Sequence, residues 1–224
     1  MKIKPWILAI LQIQILILIA LAIFGINRLD EISEKLFNTN KLLYSQRIDS
    51  GLQKISQLAA NDITLGNKDA PISIIMYSKF DCPYCHEFFT STFHELDSLY
   101  IQKNVLKFTI RFLSSSKSED ESLIKLAYLS HEQGNFNNFL KLVITDRLFS
   151  AGELADRLHL KLDETEINIS QTSKEALAAG VHRTPSFIIN GELFVGNRKM
   201  KLFDRKIKEL LNHSNKSARP AILQ

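Results

Sequence analysis

From Ile72 to Ser78 the chain runs Ile-Ser-Ile-Ile-Met-Tyr-Ser, with almost no polar break. A β-branched run of that length and near-continuous apolarity predicts a strand buried on both faces. Phe88, Phe89, Phe93, Leu96 and Leu99 then recur at helical spacing and read as core. Val105 to Leu113 reads as a second strand. Residues 119–178 carry helical periodicity in several pieces, with breaks expected near Gly134, Gly152 and Asp163 and a helix C′ residue at Gly180. Pro185-Ser-Phe-Ile-Ile189, Asn190-Gly191 and Glu192-Leu-Phe-Val195 form a hairpin signal with a type I′ turn. Lys201 to Leu211 predicts a last amphipathic helix. The order βα, β, helices, ββα is that of an α/β domain: a central sheet with helices inserted halfway.

Upstream the pattern changes twice. Residues 27–62 are polar, with Leu29, Ile32 and Leu36, then Ile48, Leu52, Ile55 and Leu58, at helical intervals. They predict a helical stalk, interrupted at Asn38-Thr39-Asn40, that either docks on the domain or pairs with a second copy. Pro5 to Ile26 is uncharged and apolar, broken only by Gln12, Gln14 and Gly25. That is long enough for the about 20 residues a helix needs to cross a membrane. Lys2 and Lys4 precede it and predict a cytoplasmic N-terminus, with Trp6 at the interface. A cleaved signal sequence, with Ala20-Leu21-Ala22 as its site and a soluble product, is the alternative. The anchor is favoured because the run exceeds an ordinary signal core. Either way the remainder lies outside the cytoplasm, in a periplasm-like space, and in the anchored form stays attached to the inner membrane. The expected division is 1–26 cytoplasmic N-terminus and anchor, 27–62 stalk, 63–212 domain with its helical insertion at about 114–178, and 213–224 tail.

Composition narrows the class little further. The chain has 224 residues, 45% hydrophobic and 23% charged, which excludes a disordered, collagen-like or rod-like protein. Its net charge of +4 comes from basic residues near the two ends. The basic C-terminal helix reads as a solvated face, and no nucleic-acid-binding motif accompanies it.

The candidate chemistry lies in the 2 cysteines, Cys82 and Cys85, which form one C-x-x-C. Three readings compete: a redox dithiol, half of a zinc site, and a static disulfide. Zinc needs about four ligands, and only His86 and His94 are near in sequence. A bridge closing so short a loop removes little entropy from the unfolded chain. The redox reading uses every neighbour. Cys82 follows a buried strand and opens a helix, where N–H groups and the dipole favour a thiolate of lowered pKa. Pro83 suits the first helical turn. Cys85 sits one turn further in and less exposed, so Cys82 is the expected attacking sulfur and Cys85 the resolving one.

Three stretches carry a resemblance: Leu65-Gly-Asn-Lys-Asp-Ala-Pro71, Ser78-Lys-Phe-Asp-Cys-Pro-Tyr-Cys85 and Ala179-Gly-Val-His-Arg-Thr-Pro-Ser-Phe-Ile-Ile-Asn-Gly191. With them the chain resembles the DsbA-like branch of the thioredoxin superfamily of thiol–disulfide oxidoreductases. The resemblance implies a thioredoxin-like fold with a helical insertion, a redox-active disulfide Cys82–Cys85, and a cis Pro185 facing it. It implies that the Thr184 backbone pairs with an extended substrate segment. Pro83, Tyr84, Lys79, His86 and His182 are the further candidates for substrate binding or tuning. The family often has a carboxylate where this chain has Met76, and Asp where it has Lys79. His94, His131, His159 and His213 read as helix-surface or satisfied side chains.

The expected function is a membrane-tethered oxidoreductase that promotes disulfide formation in exported proteins. Its partners would be thiol-containing exported proteins and a membrane redox partner, here a quinone-linked re-oxidase. The alternative is a disulfide isomerase or reductase, possibly dimeric through the stalk, with a reductase as partner. Other readings are a thiol chaperone with a vestigial C-x-x-C and a copper or zinc carrier. Neither a metal nor an organic cofactor is expected.

Overall fold

The computed structural model describes residues 62–114, 118–145, 150–161 and 169–217, and single positions or short stretches between 14 and 52. The chain divides into two compact units, 1–47 and 48–224. In the first, every described residue is helical. Asn38-Thr39-Asn40, expected to interrupt, continues the helix, and the Thr39 hydroxyl donates to the Lys35 carbonyl at 2.8 Å. Of the expected anchor at 1–26, all but Gln14, Leu21 and Phe24 lie outside the described residues. Among the described residues no helix is long and apolar enough to cross a membrane.

The second unit is built on a five-stranded sheet, β1 (Ile63–Leu65), β2 (Ile72–Ser78), β3 (Leu106–Phe112), β4 (Ser186–Ile189) and β5 (Glu192–Val195), in the order β1-β3-β2-β4-β5. β2 and β3 are parallel from Ile72↔Leu106 to Ser78↔Phe112; the other neighbours are antiparallel. The near-continuous apolarity of β2 resolves into two faces. Ile74 and Met76 enter one core with Phe108, Phe187 and Phe203. Ile75 and Tyr77 enter a second with Leu52, Ala176, Val181 and Ile188. This is the alternation of a strand covered on both sides.

The helices are α1 (Pro83–Ser91), α2 (Phe93–Leu96) continuing as a π-helical turn (Asp97–Ile101), α3 (Ser118–Glu132), α4 (Phe136–Thr145), α5 (Ala151–Leu158), α6 (Ile169–Ala178) and α7 (Met200–Ser217). α1 docks through Phe88, whose ring lies 4.8 Å from Phe187 and 5.8 Å from Phe203. Phe89 and Phe93 are buried beside it, as expected. The mixed α/β thioredoxin-like fold with helices inserted between β3 and β4 is therefore present.

Four details differ from the periodicity. β1 was not foreseen, since three residues are too short for an alternation to register. Gly152 is inside α5, because Ser150 caps that helix in a capping box with Glu153. The last helix continues past Leu211 to Ser217. Arg111 on β3 is buried and forms a two-pronged pair with Asp62 at 2.9 and 2.6 Å. The break near Asp163 lies outside the described residues. The other turns match: Gly134 and Gly180 have φ of 69° and 79°, and Asn190 and Gly191 of 44° and 88°.

Candidate active site

β2 ends at Ser78, and Lys79-Phe80-Asp81 carries the chain to Cys82, the N-cap of α1. Cys82 is extended, with φ −92° and ψ 109°, and Pro83 fills the first helical turn, where no N–H is needed. The orphan N–H of Cys85 donates to Cys82 Sγ at 3.3 Å. A sulfur thus takes the place that a Ser or Asp oxygen takes in an ordinary cap.

The two sulfurs live in different surroundings. Cys82 is half-buried, whereas Cys85 is 1% exposed within the main core. Burial, with the Cys82 hydrogen bond adding to it, pushes the Cys85 thiol up to about 12; bonds from the Lys79 backbone and the Ser78 side chain oppose this. Both cysteines are free thiols.

Across from them, the Thr184–Pro185 peptide bond is cis and Pro185 is buried. Cys82 Sγ donates to the Thr184 carbonyl at 3.4 Å, which joins α1 to the start of β4. The Ser186 hydroxyl donates to the Arg183 carbonyl at 2.7 Å and closes the turn before Pro185.

A cavity of about 450 Å³ lies on one side of this pair, between α1 and the inserted helices. Cys82, Cys85, His86 and Asp120 meet there with apolar residues of α4 such as Val143 and Ile144. A second cavity, of about 290 Å³, lies on the other side, along Thr184, His182 and α6. Lys79 lines both.

The expected site residues therefore divide. Cys82, Cys85 and Thr184 converge. Pro83 is exposed at the cavity mouth, and Tyr84 points outward with 61% exposure. His86 lines the first cavity, but its Nε2 is 2.7 Å from the Ile144 carbonyl, which ties α1 to the end of α4. His131 receives the Thr64 N–H at Nε2, at 3.4 Å, and holds β1. Asp120 lines the first cavity without having been singled out; it stands in no motif, and only the fold brings it near, whereas Arg183, which lines the second, lies within the stretch Ala179–Gly191 that carries the resemblance. Among the described residues no three His, Cys, Asp or Glu side chains are grouped so as to hold a metal ion.

The model of the family described as thioredoxin matches residues 56–209. The chain belongs to the thioredoxin family. The resemblance to DsbA-like thiol–disulfide oxidoreductases is met in two ways, in the names of the relatives by sequence and in the fold of DsbA proteins. A Rickettsia bellii protein named as a protein-disulfide oxidoreductase is 26% identical over 178 residues, covering 68% of this chain and 67% of that one. Other Rickettsia proteins of the same name are matched over 55% to 64% of their length. The chain thus spans about two thirds or less of these relatives.

Among solved structures, Wolbachia pipientis alpha-DsbA1 superposes with a TM-score of 0.66 at 20% identity, covering 74% of this chain and 98% of that one. The alpha-DsbA2 of the same organism, titled a thiol-disulfide exchange protein, gives 0.58 at 18%, covering 74% and 98%. At such identities the likeness is one of fold. The expected enzyme class, protein thiol–disulfide oxidoreductase, is the class for which the Rickettsia relatives are named.

Proposed function

We propose that this thioredoxin-family protein is an exported, membrane-tethered oxidoreductase that passes a disulfide from Cys82–Cys85 to thiol-bearing client proteins. The observation that carries the reading is the asymmetry of the pair. One sulfur is accessible at a helix N-terminus and receives an N–H at 3.3 Å; the other is buried one turn behind it.

In the oxidised protein a client thiolate attacks Cys82 Sγ. The Cys82–Cys85 bond breaks, and Cys85 leaves as a thiolate that takes up a proton. Burial favours that neutral thiol, which draws the exchange forward. A second client thiolate then attacks its own sulfur in the mixed disulfide, and Cys82 leaves as a thiolate. The helix N-terminus and the Cys85 N–H stabilise that anion. Two electrons pass from client to protein, one client proton ends on Cys85 and the other goes to solvent, and a membrane-bound oxidant, such as a quinone-linked protein, restores the disulfide.

The Thr184 backbone beside Cys82 supports strand-like pairing with an extended client segment. Export and tethering rest on Lys2, Lys4 and the apolar run from Pro5 to Ile26. The deciding experiment is the redox state of Cys82–Cys85 in cells, read by thiol alkylation. A mostly oxidised pair is expected; a mostly reduced pair would assign the protein to disulfide isomerisation or reduction instead.

A further inference from the structure

The second cavity has an unusual charge balance. Lys79, His182 and Arg183 stand at its rim, while Leu113, Ala176 and Val181 line it with apolar surface. Among the described residues no carboxylate lines it. Among the described residues, the Lys79 and Arg183 side chains enter no ion pair. Among the described residues, two acids on neighbouring elements are placed elsewhere. Glu175 on α6 sits 3.9 Å from Arg111, and Asp81 is exposed and lines the other cavity.

The cavity is also close to the reacting atom. Thr184 lines it, and the Thr184 carbonyl is 3.4 Å from Cys82 Sγ. One residue of extended chain advances about 3.3 Å. A client segment whose cysteine reaches Cys82 therefore brings a side chain one or two residues away to this rim.

We propose that the cavity is a carboxylate subsite of the active site, which selects clients with an acidic group next to the reacting cysteine. The proposal rests on the exchange reaction argued above. Arg183 offers a planar fork matched to a carboxylate, Lys79 a second cation from the cysteine side, and His182 a ring N–H. The apolar wall takes the methylenes of a glutamate. Two sources share this chemistry: an acidic side chain on a client protein, and the carboxylates of a small thiol such as glutathione.

The test mixes oxidised full-length protein with cysteine peptides that differ only in carrying Glu, Gln or Lys beside the cysteine. The rate of mixed-disulfide formation is followed by quenched flow. The Glu peptide is expected to react about two- to fivefold faster than the Gln peptide, the effect of one partly exposed ion pair, and the Lys peptide slower. The Glu-to-Gln ratio should approach one in Lys79→Gln/Arg183→Gln and at high salt. A change in Cys82 reactivity alters all three peptides alike, so the ratio isolates the subsite.

Glutathione compared with its dimethyl ester distinguishes the sources. A preference for free glutathione that the double variant loses supports the subsite and extends it to small thiols. A preference confined to peptides supports it for client chains. Equal rates for Glu and Gln peptides, or a ratio untouched in the double variant, would overturn the subsite and leave the exchange reaction standing. Failure of every peptide to react would overturn the exchange reaction and the subsite with it.

Discussion

The thiol of Cys82 donates to the carbonyl of Thr184 across 3.4 Å, although the two residues lie 102 positions apart. This contact joins the start of α1 to the start of β4 and places the accessible sulfur on the face where a client backbone would lie. Deprotonation of Cys82 removes the only hydrogen that this contact uses, so the thiolate is left to the Cys85 N–H on the other side.

Cys82→Ser is expected to abolish disulfide exchange with a dithiol peptide. Cys85→Ser should instead accumulate mixed disulfides through Cys82, because the group that releases them is gone. Non-reducing gels of both variants after exposure to disulfide-bearing clients, which Cys82 attacks with release of a client thiol, check this. Accumulation through Cys85 in Cys82→Ser would reverse the two roles.

The raised Cys85 thiol sets a pH dependence. Attack by Cys85 on a mixed disulfide at Cys82 needs its thiolate, which is scarce below about 12. The rate of that intramolecular release should rise about tenfold per pH unit through the neutral and mildly alkaline range. A rate flat between pH 6 and 9 would contradict it. Stability carries the same sign. Above the ordinary thiol value of 9.0 the unfolded thiol loses its proton while the folded one keeps it, so reduced protein loses stability as pH rises. The oxidised protein lacks this contribution, and the gap between the two forms in urea melts should change in its favour above that pH.

Asp62→Ala is expected to destabilise the protein by about 3–5 kcal/mol, the cost of leaving a buried guanidinium without its carboxylate. The Arg111 and Asp62 side chains are 3% and 5% exposed, and Glu175 is 3.9 Å away and 40% exposed, too distant to replace Asp62. Equilibrium urea unfolding measures this; a loss below about 1 kcal/mol, the range of exposed pairs, would show that the pair is hydrated.

Gly66, between β1 and β2, has φ 88°, and a Cβ there would lie 2.6 Å from the Leu106 carbonyl oxygen. Gly66→Ala should therefore cost about 1–3 kcal/mol through strain and backbone displacement. Gly191→Ala, at the same φ of 88° but with open space around it, carries the conformational cost alone and should be milder. Thermal melts of the two variants order them; equal losses would remove the steric contribution at Gly66.

His86→Ala removes the 2.7 Å link to the Ile144 carbonyl and leaves that helix-end acceptor without this partner. A loss of about 1 kcal/mol is expected, with faster hydrogen exchange along α4 than along β2. Uniform exchange across both would show that His86 does not join the inserted helices to α1.

Much of this protein was legible in one dimension, because much of it is governed by short-range rules. The apolar run from Ile72 to Ser78 could only be a doubly covered strand, and Asn190-Gly191 could only be a tight turn. The C-x-x-C between them marked a helix start, since Pro83 suits only its first turn. Three residues of β1 carried too little pattern to register, and the Ser150–Glu153 capping box displaced a boundary that Gly152 had suggested.

Local order specifies which residues are buried and where helices begin; it does not specify what faces them. The Cys82–Thr184 contact, the pairing of Arg111 with Asp62 and the link from His86 to Ile144 depend on strand register and helix docking. So does the cationic rim formed by Lys79, His182 and Arg183, which are split between two loops at opposite ends of the domain sequence. Charge and hydrogen bonding act over a few ångströms in space, whereas periodicity reports only neighbours along the chain. The thiols were therefore readable from sequence, and the Thr184 carbonyl beside Cys82, the burial around Cys85 and the residues that line the two cavities became visible only once the sheet had brought those loops together.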